Sequence, residues 1–196
     1  MSDQSHLIEQ RVTSQQVFRG HFLQAMSDTV KLPNGRETVR EYVLHPGAVM
    51  VIPLIGEGAD LRVVLERQFR YPVGEVMIEF PAGKLDPREL AKDCARRELR
   101  EETGYTAGAW ARAGRMHPVI AYSTEFIDIW FARDLTAGPR SLDEGEFLDV
   151  FTATPQELMQ MCCLGDITDA KTLAGALWLQ NVLSGAWSLD WEVEAV

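Results

Sequence analysis

The sequence predicts an α+β fold: an α/β/α sandwich around a mixed central sheet, preceded by a small N-terminal antiparallel sheet. Three observations carry this. Apolar, β-branched runs at 48–55, 61–65 and 75–80 precede the first helix signal. Two segments, Asp86-Pro87-Arg88-Glu89 and Thr154-Pro155-Gln156-Glu157, repeat an N-cap, a Pro and a Glu three residues after the cap. Further strands and two or three helices follow, and mixed strands with so few helices read as an α+β or α/β/α sandwich.

In order along the chain, residues 16–32 are half-apolar and extended, and Pro33-Asn34-Gly35 supplies a tight turn. Residues 1–46 are therefore assigned to the N-terminal sheet and 47–196 to the main domain. The first helix is predicted from Asp86 to Gly104, with Leu90, Ala91, Cys94, Ala95 and Leu99 as its buried stripe. Strands are expected at 126–132 and 147–151, and a second helix after Thr154. A third spans 169–183, with Ala170, Leu173, Ala174, Leu177 and Trp178 inward.

The chain has 196 residues, 46% hydrophobic and 24% charged, enough for one substantial core and incompatible with disorder. Its net charge of −10 argues against nucleic acid or anionic lipid as partners. It allows a phosphorylated small molecule only if cations bridge the two sets of negative charge. Cys94, Cys162 and Cys163 form neither a disulfide framework nor a zinc motif, and no secretory signal or apolar membrane span is seen, so a reducing cytoplasm is expected. Four scattered histidines have no metal-ligand spacing, and Cys94 falls on an apolar stripe.

The chemistry is densest between Gly83 and Tyr105. On a helix, Glu98, Glu101 and Glu102 converge on one side, and such like-charged pairs cost about 0.2–0.5 kcal/mol each. A solvated acidic face tempered by Arg96, Arg97 and Arg100 is the plain reading. A hard divalent cation is the other, since Mg²⁺ takes oxygen ligands and rewards clustered carboxylates. The spacing separates the two: Gly83, Glu89, Arg97-Glu98, Leu99, Glu101-Glu102, Gly104 and Tyr105 match G-x5-E-x7-R-E-U-x-E-E-x-G-U throughout, U being a bulky apolar residue.

This segment resembles the signature of the Nudix hydrolases. The resemblance implies Mg²⁺, with Mn²⁺ as substitute, held principally by Glu98 and Glu102, with the carbonyl of Ala82 another ligand and Glu101 either a further ligand or a partner of the ligands. It leaves Gly83, Glu89, Arg97 and Gly104 as structural members of the box, Glu89 pairing with Arg97. Flanking stretches, Gln68-Phe69-Arg70-Tyr71-Pro72, Glu79 to Leu85, Leu142 to Phe147 and Asp169-Ala170-Lys171-Thr172, resemble the ADP-ribose pyrophosphatase branch of that family. That branch implies hydrolysis of the pyrophosphate of ADP-ribose to AMP and ribose 5-phosphate. It also implies a homodimer joined through the N-terminal sheet, which helps line the partner's nucleotide pocket. Arg70 and Glu79 become substrate-binding candidates, Arg70 being either a phosphate ligand or half of a surface ion pair. The general base falls on the acidic loop, at Glu144 first and Glu146 second, with Glu125 a third candidate and Glu98 contributing to catalysis as a metal ligand. One departure concerns the substrate: a Ser-Pro-Gly step common in the branch is replaced by Val119-Ile120-Ala121, so another nucleoside diphosphate sugar stays open. A non-catalytic nucleotide-binding regulator is the alternative of a different class, and three retained, mutually repelling carboxylates speak against it.

Overall fold

The computed structural model describes residues 4–194. The remaining five, which the expected boundaries 1–46 and 47–196 include, lie outside the described residues. The chain divides into two compact units, one ending at Pro46 and including Val119–Glu125, the other comprising Gly47–Pro118 and Phe126 onward.

In the first unit β1 (Gln10–Arg19), β2 (Gln24–Lys31) and β3 (Glu37–Leu44) form an antiparallel sheet in that order. The extended stretch foreseen at 16–32 is thus two strands, broken at 20–23, and β1 begins earlier. The turn at Pro33-Asn34-Gly35 is present, with Gly35 at φ +84° and Asn34 Oδ1 accepting from the Arg36 amide at 3.0 Å. The segment 119–125 docks on β3, where the amides of Val43 and Thr124 donate to Tyr122 and Val43 carbonyls.

The second unit is built on β4 (Ala48–Ile55), β5 (Arg62–Arg70), β6 (Glu75–Glu79), β7 (Ala82–Lys84), β8 (Tyr105–Met116), β9 (Ile127–Ala137), β10 (Leu148–Ala153) and β11 (Glu192–Val193). The sheet order is β10-β5-β4-β9-β8-β11, with β6 added to β5 and β7 to β4; β4 and β9 are parallel and the other pairs antiparallel. Alternation along β4 divides the core: Met50 and Ile52 face α2 (Pro155–Leu164) and α3 (Ala170–Leu183), while Val49 and Val51 face α1 (Ala91–Glu98). The mixed sheet between helical layers is the predicted sandwich.

Several elements depart from expectation. The first helix starts at Ala91, not after Asp86, because Arg88 sits at φ +71° and breaks the turn. The cap chemistry survives without the helix: Glu89 still accepts from the Asp86 amide at 2.9 Å. Leu90, expected inside, is exposed, whereas Cys94, Ala95 and Leu99 are buried. On α3 the buried side is Thr172, Gly175, Ala176 and Leu179, so the stripe containing Leu173 and Leu177 was assigned to the wrong face. The helix has apolar residues nearly all round, and periodicity alone cannot orient it. Strand β8 was missed entirely; its alanines, glycines and arginines carry weak β propensity, and pairing with β9 along its length holds it. Strand β10 begins at Leu148, leaving Phe147 exposed.

Candidate active site

Strand β7 runs beside β4, and the amide of Val51 donates to the Pro81 carbonyl, which pins the chain leading into Gly83. A Cβ at Gly83 would collide with the Glu98 carboxylate, so only glycine lets the helix lay this acid against the strand. Past Glu98 the helix widens into a π turn over Leu99–Thr103, a distortion concentrated at functional sites. It ends at Gly104, whose φ of +78° is the left-handed stop. Leu99 is fully buried and anchors this turn from below.

The three glutamates of the turn differ in environment. Glu102 is 2% exposed, and its Oε2 accepts from the Ala82 amide at 3.0 Å. Burial, with the charges of Glu66, Glu98 and Glu146, pushes its carboxyl well above the usual range. Burial likewise raises Glu98 to about 7 against the opposing pull of Arg97. Glu101 is more open. Arg97 ties the cluster together: its Nη1 donates to Glu98 at 2.8 Å and to Glu101 at 3.3 Å, while Nε and Nη2 each reach Glu89 at 2.9 Å. The hydrogen bonds from Arg97 hold Glu89 down to about 2. Glu89 therefore works as a carboxylate anchoring the arginine, and the loop from 84 to 90 is held against the helix.

A second layer comes from β5 and β6. Arg70 makes a two-pronged pair with buried Glu79, at 2.7 and 2.8 Å. Lys171, at the start of α3, bonds the same carboxylate and also Asp169 at 3.0 Å. Burial alone would raise Glu79, but Arg70 and Lys171 outweigh it and keep the carboxyl below its ordinary range. Asp169 caps α3 through the Thr172 amide, and the Thr172 hydroxyl accepts from the Phe80 amide. Lys171 and Asp169 thereby fix Arg70 from behind; in the sequence they stood only as part of a flanking stretch. Glu66, directly across from Glu79 on β5, carries no sequence signal of function, yet its buried carboxyl is raised to about 8 by burial and by Glu79.

Of the acids considered for proton removal, Glu146 turns inward: its Oε1 accepts from Gln68 at 3.2 Å, and its charge acts on Glu66, Glu98 and Glu102. Glu144 is exposed on the same loop. Glu125 belongs to the first unit, where it faces His45 at 3.8 Å.

The acids of the arrangement offer only oxygen ligands, and the buried oxygens of Glu66 and Oε1 of Gln68 have no hydrogen-bond partner among the described residues. The Nudix domain description matches residues 44–173. The chain belongs to the Nudix family. The glutamate ridge of this Nudix protein is the part the signature covers. Residues 9–43 match a second description, the nucleoside diphosphate sugar hydrolase N-terminal domain. Among curated relatives, the ADP-ribose pyrophosphatase of Bacillus subtilis (strain 168) is 34% identical over 89% of this chain and 94% of its own length. The methanol dehydrogenase activator of Bacillus methanolicus is 35% identical over 88% and 92%. A crystal structure of an ADP compounds hydrolase superposes with a TM-score of 0.82 over 94% of this Nudix chain and 98% of the other; at 22% identity it establishes the fold.

Proposed function

We propose that this Nudix protein hydrolyses the pyrophosphate bond of ADP-ribose, releasing AMP and ribose 5-phosphate, with Mg²⁺ as cofactor and Mn²⁺ as substitute. The observation that carries the reading is the ridge of half-buried Glu98 and buried Glu102 against Gly83, with Glu101 at its mouth, three acids gathered closer than the single arginine Arg97 offsets. Two of its members are raised by burial and mutual repulsion, the electrostatic state a hard cation relieves. Among the described residues no three acidic, His or Cys side chains are already grouped to hold a metal ion, so the reading rests on the spacing and oxygen chemistry of the ridge.

In this reading Glu98, Glu101, Glu102 and the Ala82 carbonyl would hold the cation. The chemistry such a cation supplies is neutralisation of phosphate oxygens and acidification of a water. Arg97 orients Glu98 and Glu101, itself locked by Glu89. Arg70, held in one orientation by Glu79 and Lys171, offers a fixed positive charge to the diphosphate. Glu146 takes the proton from the attacking water, with Glu144 the other candidate on that loop; a base needs a carboxylate not consumed in holding metal. The N-terminal sheet makes the chain a homodimer, supported by β1, an edge strand exposed along its whole length and carrying Val12, Val17 and Phe18. A cytoplasmic setting is supported by three free thiols.

The name of the Bacillus subtilis relative supports ADP-ribose. The match of residues 9–43 to a nucleoside diphosphate sugar hydrolase N-terminal domain, together with Val119-Ile120-Ala121 in the loop after the box, favours a sugar nucleotide as second reading. A Mg²⁺-dependent hydrolysis panel over ADP-ribose, sugar nucleotides, dinucleoside polyphosphates and NADH, with products identified, decides between them. ADP-ribose is expected to give the highest kcat/KM; a guanine or uracil sugar ahead of it overturns the substrate assignment.

A further inference from the structure

Glu66 is a fully buried acid that this reading leaves unused. It lies on β5 with Gln68 and Arg70, two residues apart, on the face opposite the core residue Leu65. Arg70 is satisfied by Glu79. Glu66 is fully buried, and neither of its carboxylate oxygens has a hydrogen-bond partner among the described residues. The buried Oε1 of Gln68 is likewise unpartnered, while the other end of that amide holds Glu146. Three buried acceptor oxygens thus lie without donors in a neighbourhood already crowded by Glu79, Glu102 and Glu146.

A fully buried carboxyl group with neither oxygen hydrogen-bonded asks for a missing ligand. The nearest cations, Arg70 and Lys171, are committed to Glu79. Water alone would bring hydrogens and no charge. Glu66 itself belongs to no cluster of three acidic, His or Cys side chains placed to ligate a metal directly, among the described residues. A hydrated divalent cation supplies both needs, because Mg²⁺ gives up its waters reluctantly and those waters are strong donors.

We propose that Glu66 and Gln68 form the inner wall of the cation site, accepting hydrogen bonds from the water shell of a divalent cation held by Glu98 and Glu102. This rests on the metal-dependent reading above and adds to it a pair of residues outside the signature. Outer-shell partners of this kind typically govern metal affinity by 10- to 100-fold.

The test is a titration of the full-length protein with Mn²⁺ alone, free ion being read by its electron paramagnetic resonance signal, alongside thermal unfolding without metal. Glu66→Gln and Glu66→Leu are expected to weaken Mn²⁺ binding by about 10- to 100-fold, and Glu66→Leu to raise the metal-free Tm by removing two buried, unpartnered oxygens. Gln68→Met carries the same direction with a smaller loss, and stands in for any Glu66 variant that does not fold. Glu98→Gln separates the two levels of the argument. If it abolishes Mn²⁺ binding while the Glu66 and Gln68 variants bind as the parent does, this proposal is overturned and the metal reading stands. If the parent protein binds no Mn²⁺, both fall.

Discussion

At the scale of single residues, the site is governed by which carboxylates are buried and which are paired. Glu98→Gln keeps shape and removes charge. It is expected to lower kcat by more than about a hundredfold, beyond the range for groups that only support a ligand, with circular dichroism unchanged; near-normal turnover would end the metal assignment. Glu146 and Glu144 make a direct comparison. Because Glu146 faces the buried acids and Glu144 faces solvent, Glu146→Gln should cost about 10²–10⁴-fold in kcat, and Glu144→Gln should leave steady-state rates near the parent value. The spacing of the signature brought Glu98, Glu101, Glu102 and Arg97 to notice, since local periodicity places them close together on one helix, and Gly83 by its fixed place ahead of them. Glu66 carries no local signal and Lys171 only a place in a flanking stretch, because their roles arise from a partner 13 and 92 residues away, Glu79 in both cases. Lys171→Met should raise KM more than it lowers kcat, since it loosens Arg70 without touching the glutamate ridge.

At the scale of elements, the loop before α1 and the strand pair β8–β9 carry most of what periodicity could not supply. Arg88 at φ +71° is strained for a side chain with a Cβ. Arg88→Gly should raise stability by about 0.5–1 kcal/mol, read as a higher midpoint in urea unfolding. Conversely Leu99→Ala, in the fully buried π turn, should cost about 2–5 kcal/mol. Strand β9 places Asp128 in the sheet interior, where it bonds Arg112 at 2.6 Å and Arg115 at 2.8 and 3.1 Å, both from β8. Burial would raise this carboxyl, but the two arginines outweigh it and hold it below the usual value. A folded pKa below the unfolded one, near 3.9, gives stability that is complete above that value and is lost as pH falls toward the folded pKa. Asp128→Asn should therefore lower stability at neutral pH and flatten its decline below about pH 4, measured by urea midpoints across that window.

At the scale of the whole molecule, the claim to check first is assembly. Light scattering behind size exclusion should give twice the mass of 22.0 kDa, and charged substitutions at Val12 and Val17 on β1 should return it to one. The helix signals at Thr154 and Asp169, the stop at Gly104, the turn at Gly35 and the sandwich class were all legible, because each depends on residues within a few positions of one another. So was the box, because its residues recur at a fixed spacing within 23 positions of one another. Tertiary structure alone decided that Asp86 and Pro87 cap a loop and not a helix, that β8 is a strand, that α3 turns Thr172 and Leu179 inward in place of Leu173 and Leu177, and that Glu146 rather than Glu144 meets the buried acids. The physical reason is common to all four. Caps, turns and periodic faces are settled by neighbours in sequence, whereas the face a helix buries, the strand a weak segment joins and the acid a loop presents are settled by whichever surface is already there to receive them.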